Sequence, residues 1–168
     1  KREAEDLLDF VAMATVCDVM SLTGENRILV KEGLKRIRHT KNIGLQALMQ
    51  ACNVQPENIS AYHFGYVLGP CVNATGRLDT ARHALRLFET GQETEAEEIA
   101  RDLVDLNQER KELTLQGVEM AKKLCEEGGY ENDPVLVLFL PDVHESIAGL
   151  IAGRIREAYQ RPVFVLTR

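Results

Sequence analysis

The sequence lacks tryptophan, and only 5% of its 168 residues are aromatic although 45% are hydrophobic. An interior with so few rings is mainly aliphatic, which favours a helix-rich core over a β-sandwich. Long apolar runs are also missing, so no segment reaches the roughly 20 apolar residues of a membrane-spanning helix. Because secretory signal features are missing as well, neither membrane insertion nor export is expected.

Cysteine is scarce and scattered, since the four residues form no C-x-x-C pair and no histidine lies at metal-ligand spacing from them. This pattern argues against a zinc site and predicts a cytoplasmic protein, because unpaired thiols persist in a reducing compartment. The four are Cys17, Cys52, Cys71 and Cys125.

Positive charge is in deficit: 20 Lys and Arg residues stand against 26 Asp and Glu residues, for a net charge of −6. This balance argues against binding nucleic acid over the whole surface. It still allows a local phosphate site, because affinity depends on clustered charge. The first residue is Lys1 and not Met, which predicts that the chain is an excised piece of a longer protein.

Apolar residues recur at helical spacing through the first three-quarters of the chain. The most regular segment, from Thr94 to about Glu127, predicts a helix about 50 Å long, a length typical of helices that connect domains. Before it, Asp79 is predicted to cap a helix that Gly91 ends. Earlier helices are predicted over residues 4–20, 25–39, 44–52 and 60–67.

The hydrophobic period changes after about residue 128. The apolar run from Pro134 to Leu140 is typical of a buried strand, an amphipathic helix follows, and "RPVFVLTR" predicts a second strand. Such a βαβ unit has parallel strands and a right-handed crossover. Gly149 and Gly153 are predicted to let the helix pack closely on the sheet. The predicted fold class is therefore α/β overall, helical at first and then βαβ.

Asp18 is the only charged residue between Asp9 and Glu25, within an otherwise apolar segment. A carboxylate in such surroundings is costly unless it is paired, hydrogen-bonded or bound to a metal. The pattern fits either a metal ligand or an aspartate at a helix end that points to water.

The segment "LGPCVNATGRL", which begins at Leu68, combines two glycines, a proline, an amide and a guanidinium, and predicts a turn. Asn73 and Arg77 are four residues apart, with Gly76 beside them. Glycine lets a ligand approach the backbone, and a guanidinium suits a phosphate. An ordinary turn with a surface arginine fits the pattern equally well.

His144 lies between the predicted strand and the next helix, whose free amides form a natural anion site. Arg154 follows on that helix. A histidine at such a place is also a common cap or surface residue, so both interpretations stay open.

Taken in order, these segments resemble the RecJ family of single-strand-specific DNA exonucleases, within the DHH phosphoesterase superfamily. The resemblance implies the C-terminal helical part of a DHH domain (residues 1–92), a long connecting helix (93–127) and the N-terminal part of a DHH-associated domain (128–168). The matching segments span almost the whole chain and are "MATVCDVMSLTGENRILVKEGL", "LGPCVNATGRLDTARHAL", "LNQERKEL" and "VHESIAGLIAGRIREAYQRPVFVL".

The resemblance also implies roles for the candidate residues. Asp18 would be a ligand of a catalytic Mn²⁺ or Mg²⁺ ion, and Asn73 and Arg77, in the motif "N-A-x-G-R", would hold the substrate backbone. His144 and Arg154 match the pattern "W-H-x-G-V-x-G-I-V-A-x-R", which implies contact with nucleic acid. Two positions depart from that pattern, where Trp and Gly are usual: Val143 and Ser146.

The implied protein is a monomeric enzyme of DNA repair and recombination, in which metal-activated water cleaves single-stranded DNA from a 5′ end. The family's D-x-D, Asp-His-His and Gly-Gly-Gly-His motifs are absent from the sequence, so this segment by itself is expected to be inactive. Two other functions stay open: a catalytically dead DHH-family scaffold, and a DHH phosphoesterase for short oligonucleotides.

Overall fold

The computed structural model describes residues 7–168, except for the side chain of residue 131. The described chain is mostly helical and carries two short parallel strands, so the α/β prediction holds only for its last part. It divides into two compact units, the first extending to Asn107 and the second comprising Gln108–Arg168. Each unit contains a hydrophobic core of its own.

The first unit is built from helices, as the apolar spacing predicts. A 3₁₀ turn at Pro56–Asn58 precedes α4, and a π-helical turn at Phe64–Leu68 joins α4 to α5. Helix α7 continues into the second unit and, with 36 residues, confirms the predicted long helix. The helices are α1 (Leu8–Cys17), α2 (Gly24–Ile37), α3 (Ile43–Ala51), α4 (Ala61–His63), α5 (Gly69–Leu78), α6 (Ala81–Glu89) and α7 (Glu93–Gly128).

Helices α1 and α2 approach each other closely at Gly33. A Cβ atom at this position would collide with the Leu8 carbonyl oxygen and the Ala12 methyl group. Both Ala12 and Ile37, near the end of α2, are fully buried. The small residues at this crossing therefore let the two backbones pack directly, which fixes the position of α1 and its C-terminal end.

Residues Gly69–Leu78 form helix α5, so the predicted turn is wrong. In the π-helical turn before it, the Gly69 N–H donates to the Phe64 carbonyl. Pro70 accounts for this wide turn, because proline has no N–H to donate and its ring crowds the carbonyl four residues earlier. Gly69 is needed for packing, since a Cβ there would collide with the Cys17 sulfur. The glycine and proline that suggested a turn thus serve a close helix contact.

Two other predicted helix boundaries are also wrong. Thr80, not Asp79, is the N-cap residue of α6, and the helix ends at Glu89 rather than at Gly91. Asp79 lies just before the cap, where its Oδ2 is 2.8 Å from His83 Nδ1. At the other end the Thr90 hydroxyl donates to Glu95 on α7. Side-chain hydrogen bonds, and not glycine, therefore mark the ends of this helix.

Glu95 joins α6 to α7 through a bidentate contact, since Arg86 Nε and Nη2 lie 2.6 and 3.0 Å from its two oxygens. The Arg86 hydrogen bond, followed by that of Thr90, lowers the pKa of Glu95. A carboxyl group with a lowered folded-state pKa stabilises the fold above its unfolded pKa, and that contribution is lost as pH falls through the folded value.

We therefore expect Glu95→Gln to lower the stability of the first unit at neutral pH and to flatten its decline below about pH 4. Urea unfolding followed by circular dichroism at a series of pH values measures both effects. Glu98→Gln, which removes an exposed carboxylate from the same helix, is the control. Equal pH profiles for the two variants would contradict a specific role of the Arg86–Glu95 pair.

The second unit contains β1 (Leu136–Phe139), α8 (Glu145–Tyr159) and β2 (Val163–Leu166) after the end of α7. The strands pair in parallel, with Leu136 opposite Val163 and Phe139 opposite Leu166. This pairing confirms the predicted strand–helix–strand unit with parallel strands. The core between helix and sheet is aliphatic, with Ile147, Ile151 and Ile155 of α8 as its helical face.

The sheet is buried on one face only, so the predicted buried strand is buried on one side. Leu136 and Leu138 are fully buried, whereas Val137 and Phe139 are more than half exposed. The predicted role of Gly149 and Gly153 is also wrong, because a Cβ at either position would meet nothing within 4 Å. Isoleucines rather than glycines face the sheet, so the two glycines lie on the open side of α8.

No helix within residues 7–168 is both long and apolar enough to cross a membrane.

Candidate nucleic-acid interface

Asp18 is the C-cap residue of α1, and its side chain is exposed. Its N–H donates to the Ala14 carbonyl over 2.9 Å, so the backbone holds this position without using the carboxylate. Val19 follows with φ 55° and a side chain that is 88% exposed. Glycine is usual at this position after a helix, and a β-branched residue there is strained, which is a feature of functional sites.

The end of α1 is tied to the start of α5. The Cys17 thiol donates to the Phe64 carbonyl over 3.5 Å, and Gly69 packs against the same sulfur. Burial raises the pKa of the Cys17 thiol, and the charge of Asp18 raises it further, so the group stays protonated and packs as a small apolar side chain. Asp18 and α5 therefore belong to one packed part of the first unit.

Asn73 and Arg77 lie one turn apart on α5 and share a face of the helix. Asn73 is exposed and Arg77 is half-buried. Gly76 is exposed as well, and a Cβ there would meet nothing within 4 Å. Glycine inside a helix costs about 1 kcal/mol relative to alanine. Packing within the described chain gives no reason for this cost at Gly76, because an added side chain would meet open space. Its missing side chain leaves the helix backbone open to a ligand.

The described residues do not form a metal site by themselves. Within residues 7–168, no group of three or more His, Cys, Asp or Glu side chains could hold a metal ion. A two-metal site needs several carboxylates and histidines, and Asp18 offers one exposed carboxylate. Oxygen is the donor that Mg²⁺ and Mn²⁺ prefer, so Asp18 fits the role of a single ligand in a larger site.

In the second unit, His144 is the N-cap residue of α8. Its Nδ1 accepts from the Ser146 N–H over 3.3 Å and lies 2.7 Å from the Ser146 hydroxyl oxygen. Ser146, one of the two departures from the family pattern, thus ties the imidazole to the helix start. Arg154 is exposed ten residues later, about 15 Å along the helix. The two side chains are therefore separate potential contacts, and their binding roles stay predictions.

Two further candidate residues, Tyr62 and Tyr66, lie just before α5 and were not predicted from the sequence. Their rings stack with centroids 5.1 Å apart and planes at 23°, and both are mostly exposed. The available signal was their four-residue spacing in a chain with only four tyrosines.

An amide, a guanidinium and an accessible helix backbone define a candidate surface for a phosphate-bearing ligand. No protein-family model matches the chain. The RecJ single-stranded-DNA-specific exonuclease of Escherichia coli is 39% identical over 163 residues, which cover 94% of this chain and 28% of that protein. The RecJ of Thermus thermophilus is 36% identical over 160 residues, which cover 95% of this chain and 23% of that protein.

Comparison with solved structures shows the same similarity to RecJ. The crystal structure of RecJ from Thermus thermophilus in complex with Mn²⁺ matches 99% of this chain and 24% of that one, with a TM-score of 0.86 and 35% identity. The Mg²⁺ complex matches with the same TM-score and covers 26% of that chain. The chain is a homologue of RecJ single-stranded-DNA-specific exonucleases. It spans less than a third of the length of these relatives.

Proposed function

We propose that the chain is a segment of a metal-dependent exonuclease that hydrolyses single-stranded DNA from a 5′ end, in DNA repair and recombination. The observation that carries the proposal is the face of α5 with exposed Asn73 and Gly76 and half-buried Arg77, in a chain that is similar to RecJ over 94% of its length. An amide and a guanidinium one turn apart beside an open backbone suit a phosphodiester.

In this proposal each unit contributes differently. The first unit, up to α6, is the C-terminal helical part of a DHH domain, α7 connects, and the βαβ unit begins a DHH-associated domain. Asp18 supplies one oxygen ligand to Mn²⁺ or Mg²⁺, and Asn73 and Arg77 bind the DNA backbone. His144 and Arg154 give further backbone contacts. Because the other metal ligands would lie outside the segment, we propose that the segment alone is inactive.

We expect Arg77→Ala in the full-length protein to weaken binding to single-stranded DNA and to reduce the salt dependence of that binding. One lost phosphate contact lowers the slope of log K against log salt by about 0.7 for single strands. Fluorescence anisotropy over a series of salt concentrations, with divalent ions chelated, measures the slope. Arg82→Ala is the control, since it removes an exposed cation from the neighbouring helix α6.

An unchanged salt slope for Arg77→Ala, or an equal loss of DNA affinity for Arg82→Ala, would refute Arg77 as a phosphate ligand.

Measurement of DNA hydrolysis distinguishes the proposed exonuclease from the two alternative functions. A catalytically dead scaffold would bind the labelled strand but release no nucleotides when Mn²⁺ is added. A phosphoesterase for short oligonucleotides would cleave dinucleotides and leave long strands largely intact.

A further inference from the structure

Tyr62 and Tyr66 are among the most exposed aromatic side chains of the described chain, at 63% and 74% exposure. Their near-parallel rings stack on each other, and this exposed pair is here called the tyrosine platform. Two large stacked rings that face water leave a considerable apolar area unpartnered within this chain. Such an area is typical of a surface that binds a flat apolar group.

Local hydrogen bonds fix the segment that carries the tyrosine platform. The Ser60 N–H donates to His63 Nδ1 over 3.1 Å, and the Ser60 hydroxyl lies 2.9 Å from the same atom. The His63 ring then makes an edge contact with Tyr62, with centroids 5.8 Å apart. Phe64, in the π-helical turn, is fully buried and anchors the segment in the core. The rings are therefore presented by ordered backbone, which lowers the entropy cost of binding.

The tyrosine platform and Asn73 are both exposed along one continuous helical segment. Within residues 62–76, some positions are buried in the core and others are exposed. The buried residues are Phe64, Leu68, Gly69, Cys71, Ala74 and Thr75, and the exposed ones are Tyr62, Tyr66, Asn73 and Gly76. A strand that contacted Asn73 with its backbone would thus have two exposed rings available on the preceding turns of the same segment.

We propose that the tyrosine platform binds bases of single-stranded DNA by stacking, next to the backbone contacts of Asn73 and Arg77. This inference rests on the proposed function and adds a binding site for the bases to it. Stacking on an aromatic ring is largely independent of sequence, because every base has a π-face. It also favours single strands, whose bases are free to leave their neighbours. The tyrosine platform therefore selects unpaired DNA without reading its sequence.

Tyr66→Leu in the full-length protein tests the proposal, because leucine keeps an apolar side chain and removes the ring. We expect it to weaken binding of a labelled thymidine oligonucleotide roughly five- to hundredfold. The salt slope should stay unchanged, because stacking releases no counterions, in contrast to Arg77→Ala. Tyr66→Phe, which keeps the ring, should bind as the unmodified protein does.

A second probe is an oligonucleotide of equal length in which abasic sugars replace the internal nucleotides. The unmodified protein and Tyr66→Leu should bind it equally, because it offers no bases to stack. Tyr130→Leu, which removes a partly exposed ring from the second unit, is the matched control and should bind both probes normally.

Three outcomes would refute base stacking on the tyrosine platform. The first is normal binding of the thymidine strand by Tyr66→Leu. The second is an equal loss of affinity for the abasic strand, which would show a general structural defect. The third is a lowered melting temperature with unchanged DNA affinity, which would show that another part of the protein covers the rings. Failure of the unmodified protein to bind or degrade any single strand would instead refute the proposed function itself.

Discussion

Replacing Asp18 by Asn in the full-length protein is expected to abolish DNA hydrolysis while the fold stays intact. The amide has the size of the carboxylate but lacks its charge, and a neutral ligand holds Mn²⁺ or Mg²⁺ poorly. Loss of metal-dependent charge stabilisation costs several kcal/mol, which corresponds to a rate on the order of 10³-fold lower. Release of nucleotides from a labelled single strand, measured over a range of Mn²⁺ concentrations, tests this.

The structure explains why the fold should tolerate this change. The Asp18 side chain is exposed, and the helix end depends on backbone bonds from residues 18, 19 and 20 to carbonyls of α1. Urea unfolding of the variant should therefore match that of the unmodified protein. Asp105→Asn, at an exposed position of α7, is the matched control and should keep full activity. If Asp18→Asn still hydrolyses DNA with an unchanged Mn²⁺ requirement, Asp18 is an ordinary helix-end residue and not a metal ligand.

Regular periodicity was a reliable guide to the secondary structure. The long helix α7 and the parallel strand–helix–strand unit both follow from the spacing of apolar residues, because that spacing reflects which face of each element meets a core. The prediction was wrong at Gly69 and Pro70, which were taken to indicate a turn. Their actual reasons are a contact with Cys17, distant in sequence, and a π-helical turn. Tertiary contacts of this kind leave no periodic signal.

The candidate site was predicted only in part. Asn73 and Arg77 could be chosen from residue type and spacing, but their place on a helix and their exposure required the structure. The charge of Asp18 within an apolar segment marked it, yet the strained Val19 beside it has no sequence signature. Tyr62 and Tyr66 were missed because an aromatic residue in a helical segment is usually part of a core.

The same substitution at two glycines, Gly33→Ala and Gly76→Ala, is expected to have opposite effects on stability. At Gly33 the added methyl group would collide with the Leu8 backbone and Ala12, so α1 and α2 must separate. Overpacking of this kind costs about 1–3 kcal/mol and more where backbone must move. At Gly76 the methyl group meets open space, so the gain in helix propensity of up to about 1 kcal/mol remains.

DNA binding provides a second test of Gly76→Ala. If a DNA backbone approaches α5 closely at Gly76, the methyl group of Gly76→Ala would occupy the space that the DNA needs. The more stable variant should therefore bind single-stranded DNA less tightly. Urea unfolding and fluorescence anisotropy on the same preparations measure the two effects. Normal DNA binding by Gly76→Ala would refute close backbone approach, and a stable Gly33→Ala would refute the tight α1–α2 crossing. If Gly76 lowers stability and yet supports binding, the ligand is its best explanation, because no atom of the described chain lies within 4 Å of an added Cβ.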